Sequence, residues 1–212
     1  MDYKNYKESR DIAWELLIKY NIGSLPVKIS EICRSEGILV RSFGQSRELI
    51  RALGFEKSTQ ENDGFAVIIE GRGYIFYNEA CSHQRQRFTV AHELGHFASG
   101  DVGEMPTLRN REPSEADADS EHKANVIAAR LLAPACVLWG LGVHSAREIS
   151  ELCDISPQAA EWRARRMETL YKREEEFLKT KGKSCFLLSP LERRVYEQFR
   201  EYIAEIKNQG LF

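Results

Sequence analysis

The sequence predicts an α+β fold in which a small antiparallel sheet precedes a long, largely buried helix and the carboxyl-terminal half is mostly helical. Short apolar segments bounded by turn residues lie within the first eighty residues. Beyond them, apolar residues recur every three or four positions, which is the spacing of helices. With 212 residues the chain can bury a substantial core, so one domain with a small appendage is expected.

Local spacing predicts the elements before residue 80. Helices are expected at residues 7–20 and 29–35, with residues 48–53 as a further candidate. Strands are expected at residues 38–43, 65–70 and 74–77. Gly71 and Gly73 suit a tight hairpin between the last two strands, which favours antiparallel pairing. Residues 74–78 are the candidate for an exposed sheet edge that pairs with an extended peptide.

The helix expected to begin near residue 82 contains the most informative motif of the chain, His92-Glu93-Leu94-Gly95-His96. Residues four apart on a helix lie above one another, so His92 and His96 present their rings to one point. This H-E-x-x-H pattern is typical of zinc peptidases, in which the histidines bind Zn²⁺ and Glu93 is the general base. Apolar residues surround the motif, and its polar side chains would be costly to bury without a metal partner.

A catalytic zinc site typically takes three protein ligands, so one more ligand is expected downstream. Glu121 is the candidate, because Ser120 can cap a helix on which Glu121 and Asn125 share a small, apolar face. Asn125 can support a ligating histidine by accepting its second ring proton. His122 is the rival ligand, but it points about 100° away from that face. Other nearby carboxylates lie in a polar stretch that is typical of a solvated loop: Glu112, Glu115, Asp117 and Asp119.

The segment after residue 144 is predicted to form two helices separated by a short turn. Residues 145–153 form the first, and the second begins at Pro157 with Ser156 as its cap, which resembles a helix-turn-helix. Three arginines on the second helix suggest DNA binding: Arg163, Arg165 and Arg166. The acidic residues on and after that helix favour packing within the protein or against a partner instead.

The last part of the chain is predicted to be a flexible linker at residues 179–184, followed by an amphipathic helix to about residue 208. The apolar stripe of this helix either folds back on the domain or docks a partner. We therefore divide the chain into a core at residues 1–143, a helix-turn-helix-like subdomain at 144–178, and a linker with a carboxyl-terminal amphipathic helix at 179–212.

Composition excludes several classes of function. A formal net charge of −2 gives no general attraction to nucleic acid, so direct DNA binding is not expected. No membrane span and no secretory signal are expected, which indicates a cytoplasmic protein. The five cysteines are scattered and odd in number, as expected for reduced, structural thiols.

These motifs resemble those of the ImmA/IrrE metallopeptidases. Residues 87–96 read RFTVAHELGH, and residues 121–134 read EHKANVIAARLLAP. The typical family strings are close to RFTLAHELGH and ExxANxFAxxLLMP. The resemblance covers roughly residues 10–170. Three apolar positions depart from it without changing the chemistry: Val90, Ile127 and Ala133.

The resemblance implies a compact, gluzincin-type zincin core with one Zn²⁺ per chain, so that residues 1–143 are a zinc metallopeptidase core. It implies that His92, His96 and Glu121 are the metal ligands and that Glu93 is the catalytic base. Four residues are candidates for donating to the oxyanion: His144, which comes first because it precedes a helix near the expected cleft, and Tyr77, Asn78 and His83. A capping or surface role competes for His144.

The resemblance also implies a substrate, namely a separate helix-turn-helix transcriptional repressor that is cleaved to relieve repression of mobile-element or stress genes. Two alternatives compete with a zinc-dependent endopeptidase. One is a metal-bearing regulator that binds a repressor without cutting it, and the other is a DNA-binding module with a vestigial peptidase core. The intact set of His92, Glu93, His96 and Glu121 favours catalysis.

Overall fold

The structure is a computed structural model that describes residues 3–103 and 115–210. It confirms the α+β class, with a small sheet and a helical carboxyl-terminal half. The chain divides into two compact units, the first formed by residues 1–12 and 28–128 and the second by residues 13–27 and 129–212. The three-part division made from the sequence stays a prediction.

The described ranges contain three strands and eleven helices. The strands are β1 (Leu39–Ser42), β2 (Gly64–Ile69) and β3 (Arg72–Tyr77). The helices are α1 (Tyr3–Lys19), α2 (Ile29–Ser35), α3 (Arg47–Leu53), α4 (Glu56–Glu61), α5 (His83–Ser99), α6 (Glu115–Leu132), α7 (Ala135–Leu141), α8 (Ala146–Cys153), α9 (Pro157–Lys181), α10 (Pro190–Gln198) and α11 (Arg200–Asn208).

The sheet of the first unit has the order β1-β3-β2, so β3 is its central strand. Strands β2 and β3 form the predicted antiparallel hairpin, closed by Glu70 and Gly71 with φ values of 51° and 74°. Strand β1 pairs parallel to β3, so the sheet is mixed rather than purely antiparallel. The prediction that residues 74–78 form the free edge is wrong, because β1 and β2 flank β3 on both sides.

The two faces of the sheet have different partners. On one face, Val67 and Phe76 are fully buried in an aromatic cluster in which the Phe65 and Phe76 rings lie 5.1 Å apart. The other face packs against α5 and includes the small residues Gly64, Ala66 and Gly73. A Cβ atom at Gly73 would lie 3.0 Å from the Phe97 ring of α5. The missing side chain therefore allows the helix to approach the sheet closely.

Among the described residues no strand pairs with the outer edge of β2, which we call the free edge, and the hydrogen-bond pattern shows which groups it presents. The N–H of Asn78 donates to the carbonyl of Asp63 at 2.8 Å, so the odd-numbered residues of β2 form the ladder with β3. The backbone groups of Gly64, Ala66 and Ile68 consequently point away from β3. Consistent with this, the Ile68 N–H donates to the carbonyl of Gly103 at 3.4 Å.

The second unit is built around α7, in which Cys136, Val137 and Leu138 are fully buried. The Gln198 side chain donates to the carbonyls of Leu17 at 2.8 Å and Ile22 at 2.6 Å. These bonds attach the end of α10 to residues 13–27, which belong to the same unit.

The carboxyl-terminal region differs from prediction at two places. Helix α9 continues through Lys181, so the first half of the predicted linker is helical. The predicted terminal helix is divided at Phe199, which ends α10 and precedes α11 with φ −89° and ψ 0°. Its apolar stripe is buried within the second unit at Val195, Phe199 and Ile203, so this stripe folds back.

The predicted helix pair is present as α8 and α9, with Ser156 capping α9 and Pro157 in its first turn. Arg163 donates to the backbone carbonyl of Ala133 and is half-buried, whereas Arg165 and Arg166 are exposed. Arg163, which supported the DNA-binding hypothesis, therefore has a structural partner within the second unit.

One stretch, Ala118–Leu141, has the length and mean hydropathy (1.6) of a membrane span, although none was expected from the sequence. However, 78% of its most apolar window is buried inside the protein, as in the core helices of globular domains. The five cysteines are all free thiols, and Cys33, Cys136 and Cys153 are buried.

Candidate metal centre

Helix α5 positions His92 and His96. Its start is fixed by the Ser82 hydroxyl, which accepts the N–H of Arg85, and its end by Gly100 in the left-handed conformation. The expected close approach occurs at Gly95, where an added Cβ would lie 3.0 Å from the Cα atom of Ala124 on α6. This contact brings α5 and α6 together beside the two histidines.

The structure brings the three predicted ligands to one point. The two Nε2 atoms of His92 and His96 lie 3.1 Å apart. The Glu121 oxygens lie 3.2 Å from Nε2 of His92 and 3.3 Å from Nε2 of His96. The histidine side chains are mostly buried, at 15% and 13% exposure, whereas that of Glu121 is 60% exposed. The site is therefore open to solvent on the Glu121 side.

Hydrogen bonds to the other ring nitrogens leave both Nε2 atoms as acceptors. Nδ1 of His92 lies 3.1 Å from Oδ1 of Asn125, and this amide oxygen accepts a hydrogen bond from the ring N–H, as predicted for a residue that supports a ligating histidine. Nδ1 of His96 lies 3.1 Å from Oγ of Ser120. Neutral rings that donate through Nδ1 carry a lone pair at Nε2. Two lone pairs and a carboxylate thus converge, which is unfavourable unless a cation lies between them.

The spacing of these atoms fits a metal ion. A tetrahedral Zn²⁺ with bonds of about 2.0–2.1 Å separates its ligands by about 3.3–3.4 Å. The observed separations of 3.1, 3.2 and 3.3 Å are close to that value. Burial and the charge of His96 lower the pKa of His92, which favours the neutral form that a metal requires. His92, His96 and Glu121 can therefore hold a metal ion.

Glu93 lies on the same helix and is buried, with 8% exposure. Burial and then the negative charge of Glu121 raise the pKa of its carboxyl to about 8, while the N–H of Ala66 donates to it and opposes the rise. Glu93 is thus connected to the free edge of β2. A carboxyl with a pKa near neutrality can accept a proton and return it.

An open cavity of about 500 Å³ contains these groups. Its walls are β2, through Gly64, Phe65 and Ala66, together with residues of α5 and α6. A peptide segment therefore has access to Glu93 and to the converging ligand atoms from the edge of the sheet.

The other candidate residues have different positions. Tyr77 lies in the central strand, and Oδ1 of Asn78 accepts the N–H of Ala80 at 2.9 Å; within the described residues of the first unit, neither lines the cavity. His144 belongs to the second unit, where its ring stacks on Tyr171 at 4.3 Å. His83 and His122 are exposed. Glu112 lies outside the described residues, as do the side chains of Glu115 and Asp117, and Asp119 is exposed. The oxyanion and ligand roles stay predictions.

Sequence reasoning missed two residues of the site, Ser120 and Asp101. Ser120 was interpreted as a helix cap, but α6 begins at Glu115 and Ser120 lies inside it. Its hydroxyl contacts His96 and also donates to Asp101 at 2.8 Å. Only their positions in the sequence could have indicated these two residues. Ser120 directly precedes the candidate ligand Glu121, and Asp101 directly follows the glycine that ends α5.

Comparison with protein-family models matches residues 33–165 to Peptidase_M78, described as the IrrE N-terminal-like domain. The match covers more than half of the chain and confirms the resemblance predicted from the two motif blocks. Comparison with curated proteins finds no match.

Proposed function

Since the chain belongs to the Peptidase_M78 family of IrrE N-terminal-like domains, we propose that it is a zinc-dependent endopeptidase. His92, His96 and Glu121 would hold one Zn²⁺ per chain. The observation that carries this proposal is the convergence of their three ligand atoms within 3.1–3.3 Å, in an open cavity. When bound, the ion lowers the pKa of a water molecule toward neutrality and polarises a scissile carbonyl.

Glu93 acts as the general base in this proposal. Its carboxylate accepts a proton from the attacking water and later returns a proton to the leaving amine. A Zn²⁺ ion held beside Glu93 would lower the pKa of its carboxyl from the value of about 8 that burial and Glu121 produce, which favours the carboxylate form that accepts the proton. The Ala66 N–H orients the carboxylate, because a hydrogen bond to one oxygen restricts rotation of the group.

Strand β2 binds the substrate backbone. The N–H of Ala66 donates to Glu93, but the other backbone groups of Gly64 and Ala66 are directed to the free edge beside the cavity, so an extended peptide can add to the sheet there. Such pairing holds the scissile bond near Glu93, since the Ala66 N–H already contacts that carboxyl. In this proposal β2, and not residues 74–78 as predicted from the sequence, is the sheet edge that binds the peptide.

The proposed substrate is a separate helix-turn-helix transcriptional repressor, whose cleavage relieves repression of mobile-element or stress genes. Family membership and the resemblance of the motif blocks support this choice. We place the reaction in the cytoplasm, where repressors act. The candidate repressors are those encoded beside the gene for this chain.

The test is co-expression of each candidate repressor with wild-type protein and with the variant Glu93→Gln, followed by mass spectrometry of fragments. Wild-type protein should produce defined fragments, and the variant should cleave about 10²–10⁴-fold more slowly. Both should bind one Zn²⁺ per chain. Unreduced cleavage by the variant would remove Glu93 from the mechanism.

The alternative is a regulator that binds a repressor without cutting it, or binds DNA. In that case wild-type protein and Glu93→Gln would capture the repressor equally, and neither would produce fragments. The exposed pair Arg165 and Trp162, whose ring lies 5.3 Å from the guanidinium, is the surface that a DNA-binding mode would use. Salt-dependent binding of the whole protein to duplex DNA that is lost on Arg165→Ala would favour it.

A further inference from the structure

A chain of hydrogen bonds connects His96 to a carboxylate beyond the candidate ligands. Nδ1 of His96 lies 3.1 Å from Oγ of Ser120, and that hydroxyl donates to Oδ2 of Asp101 at 2.8 Å. The Ser99 hydroxyl lies 2.8 Å from the same Asp101 oxygen. His96, Ser120 and Asp101 are all half-buried. We call Asp101, Ser120 and His96 the relay.

The direction of each bond in the relay follows from chemistry. A carboxylate only accepts hydrogen bonds, so the Ser120 proton points to Asp101. The Ser120 oxygen then has only acceptor capacity left for His96, so the Nδ1 atom of His96 carries the proton. The Nε2 atom, which faces His92 and Glu121, is therefore left with its lone pair.

The helix dipole of α5 does not favour the charge of Asp101. Asp101 lies one residue after Gly100, which ends α5, and its N–H donates to the carbonyl of His96 at 2.9 Å. A negative charge at the carboxyl end of a helix opposes the helix dipole. The hydrogen bond from Ser120 stabilises the carboxylate at this position, and it joins the end of α5 to α6, the helix that carries Glu121.

We propose that Asp101, acting through Ser120, is the positioning residue that holds His96 in the metal-binding tautomer and ring orientation. This inference rests on the proposed zinc site. The two histidines are supported differently, since His92 contacts the neutral amide of Asn125 and His96 is connected to a negative charge. Loss of such supporting bonds typically weakens metal binding about 10–100-fold.

The first test uses metal-free protein and measures the ring ¹⁵N shifts of His96. Wild-type protein should show the Nδ1–H tautomer, and Ser120→Ala should show a mixture of tautomers. Ser120→Thr keeps the hydroxyl and should restore the wild-type spectrum. A wild-type His96 that is mainly protonated at Nε2 would overturn the relay.

The second test measures zinc affinity by competition with a chelator. Ser120→Ala and Asp101→Asn should bind Zn²⁺ about 10–100-fold more weakly than wild type, with Ser120→Thr close to wild type. Ser99→Ala is the matched control, because it removes a hydroxyl from Asp101 without touching the His96 ring. Equal affinities in wild type, Ser120→Ala and Asp101→Asn would overturn the relay but not the proposed zinc site. Absence of zinc binding by wild type would overturn the proposed function and this inference with it.

Discussion

Substitution of Gly95 by alanine tests how closely the two helices of the metal centre must approach. The added Cβ would lie 3.0 Å from Cα and 3.1 Å from the carbonyl oxygen of Ala124, so the helices must separate by a few tenths of an ångström. Overpacking of this kind costs about 1–3 kcal/mol, whereas replacing glycine by alanine within a helix gains about 1 kcal/mol. We therefore expect metal-free Gly95→Ala to lose between about 0 and 2 kcal/mol of unfolding free energy in urea.

Zinc affinity should fall more clearly than stability, because His92 and His96 are on one helix and Glu121 is on the other. The added methyl would contact backbone atoms of Ala124, so Ala124→Gly should not rescue Gly95→Ala. A gain of about 1 kcal/mol on Gly95→Ala, with unchanged zinc affinity, would refute the close approach.

Three further predictions follow from the fold. Ala66→Pro should keep the fold but lower peptide cleavage about tenfold or more, because it removes the N–H that contacts Glu93 and leaves the hydrogen bonds between β2 and β3 intact. Val67→Pro is the control: it removes a hydrogen bond between β2 and β3, and circular dichroism should show an unfolded protein. Burial is the largest effect and raises the pKa of Glu174, but hydrogen bonds from Ser184, Phe186 and Cys185, whose N–H lies at 2.6 Å, together lower it more, so the net pKa is below the ordinary value of 4.5. The charged form therefore stabilises the fold above pH 4.5, so Glu174→Gln should unfold at lower urea than wild type at pH 7, with the difference closing as the pH falls below 4.5; a constant difference would contradict this. Deleting residues 189–212 removes the buried Val195, Phe199 and Ile203, each worth about 1.5–3 kcal/mol, and should cause rapid proteolysis; a deletion variant as resistant as wild type would show that this segment is dispensable.

The helices and strands that local chemistry specifies could be predicted from the sequence. Ser82 caps α5 by its own hydroxyl, and the hairpin between β2 and β3 is closed by a two-residue turn at Glu70 and Gly71. The spacing of His92 and His96 fixes their relation on one helix, because it depends only on helix geometry.

Features that depend on distant pairing could not be predicted in the same way. The residues of β1 and β3 do not by themselves indicate that the two strands pair in parallel, so the central position of β3 was not predicted. The apolar stripe runs through Phe199 without interruption, so the break between α10 and α11 leaves no trace in its spacing. The relay was missed because Ser120 and Asp101 are 19 positions apart in the chain.

The central claim is that three side chains share one metal ion, and zinc titration of purified protein with elemental analysis tests it most directly. Wild-type protein should bind one Zn²⁺ per chain. Glu121→Gln should lose most of this affinity, whereas the matched control Asp119→Asn, an exposed acid on the same helix, should retain it. Equal zinc binding by wild type and Glu121→Gln, or no stoichiometric zinc in wild type, would contradict the account.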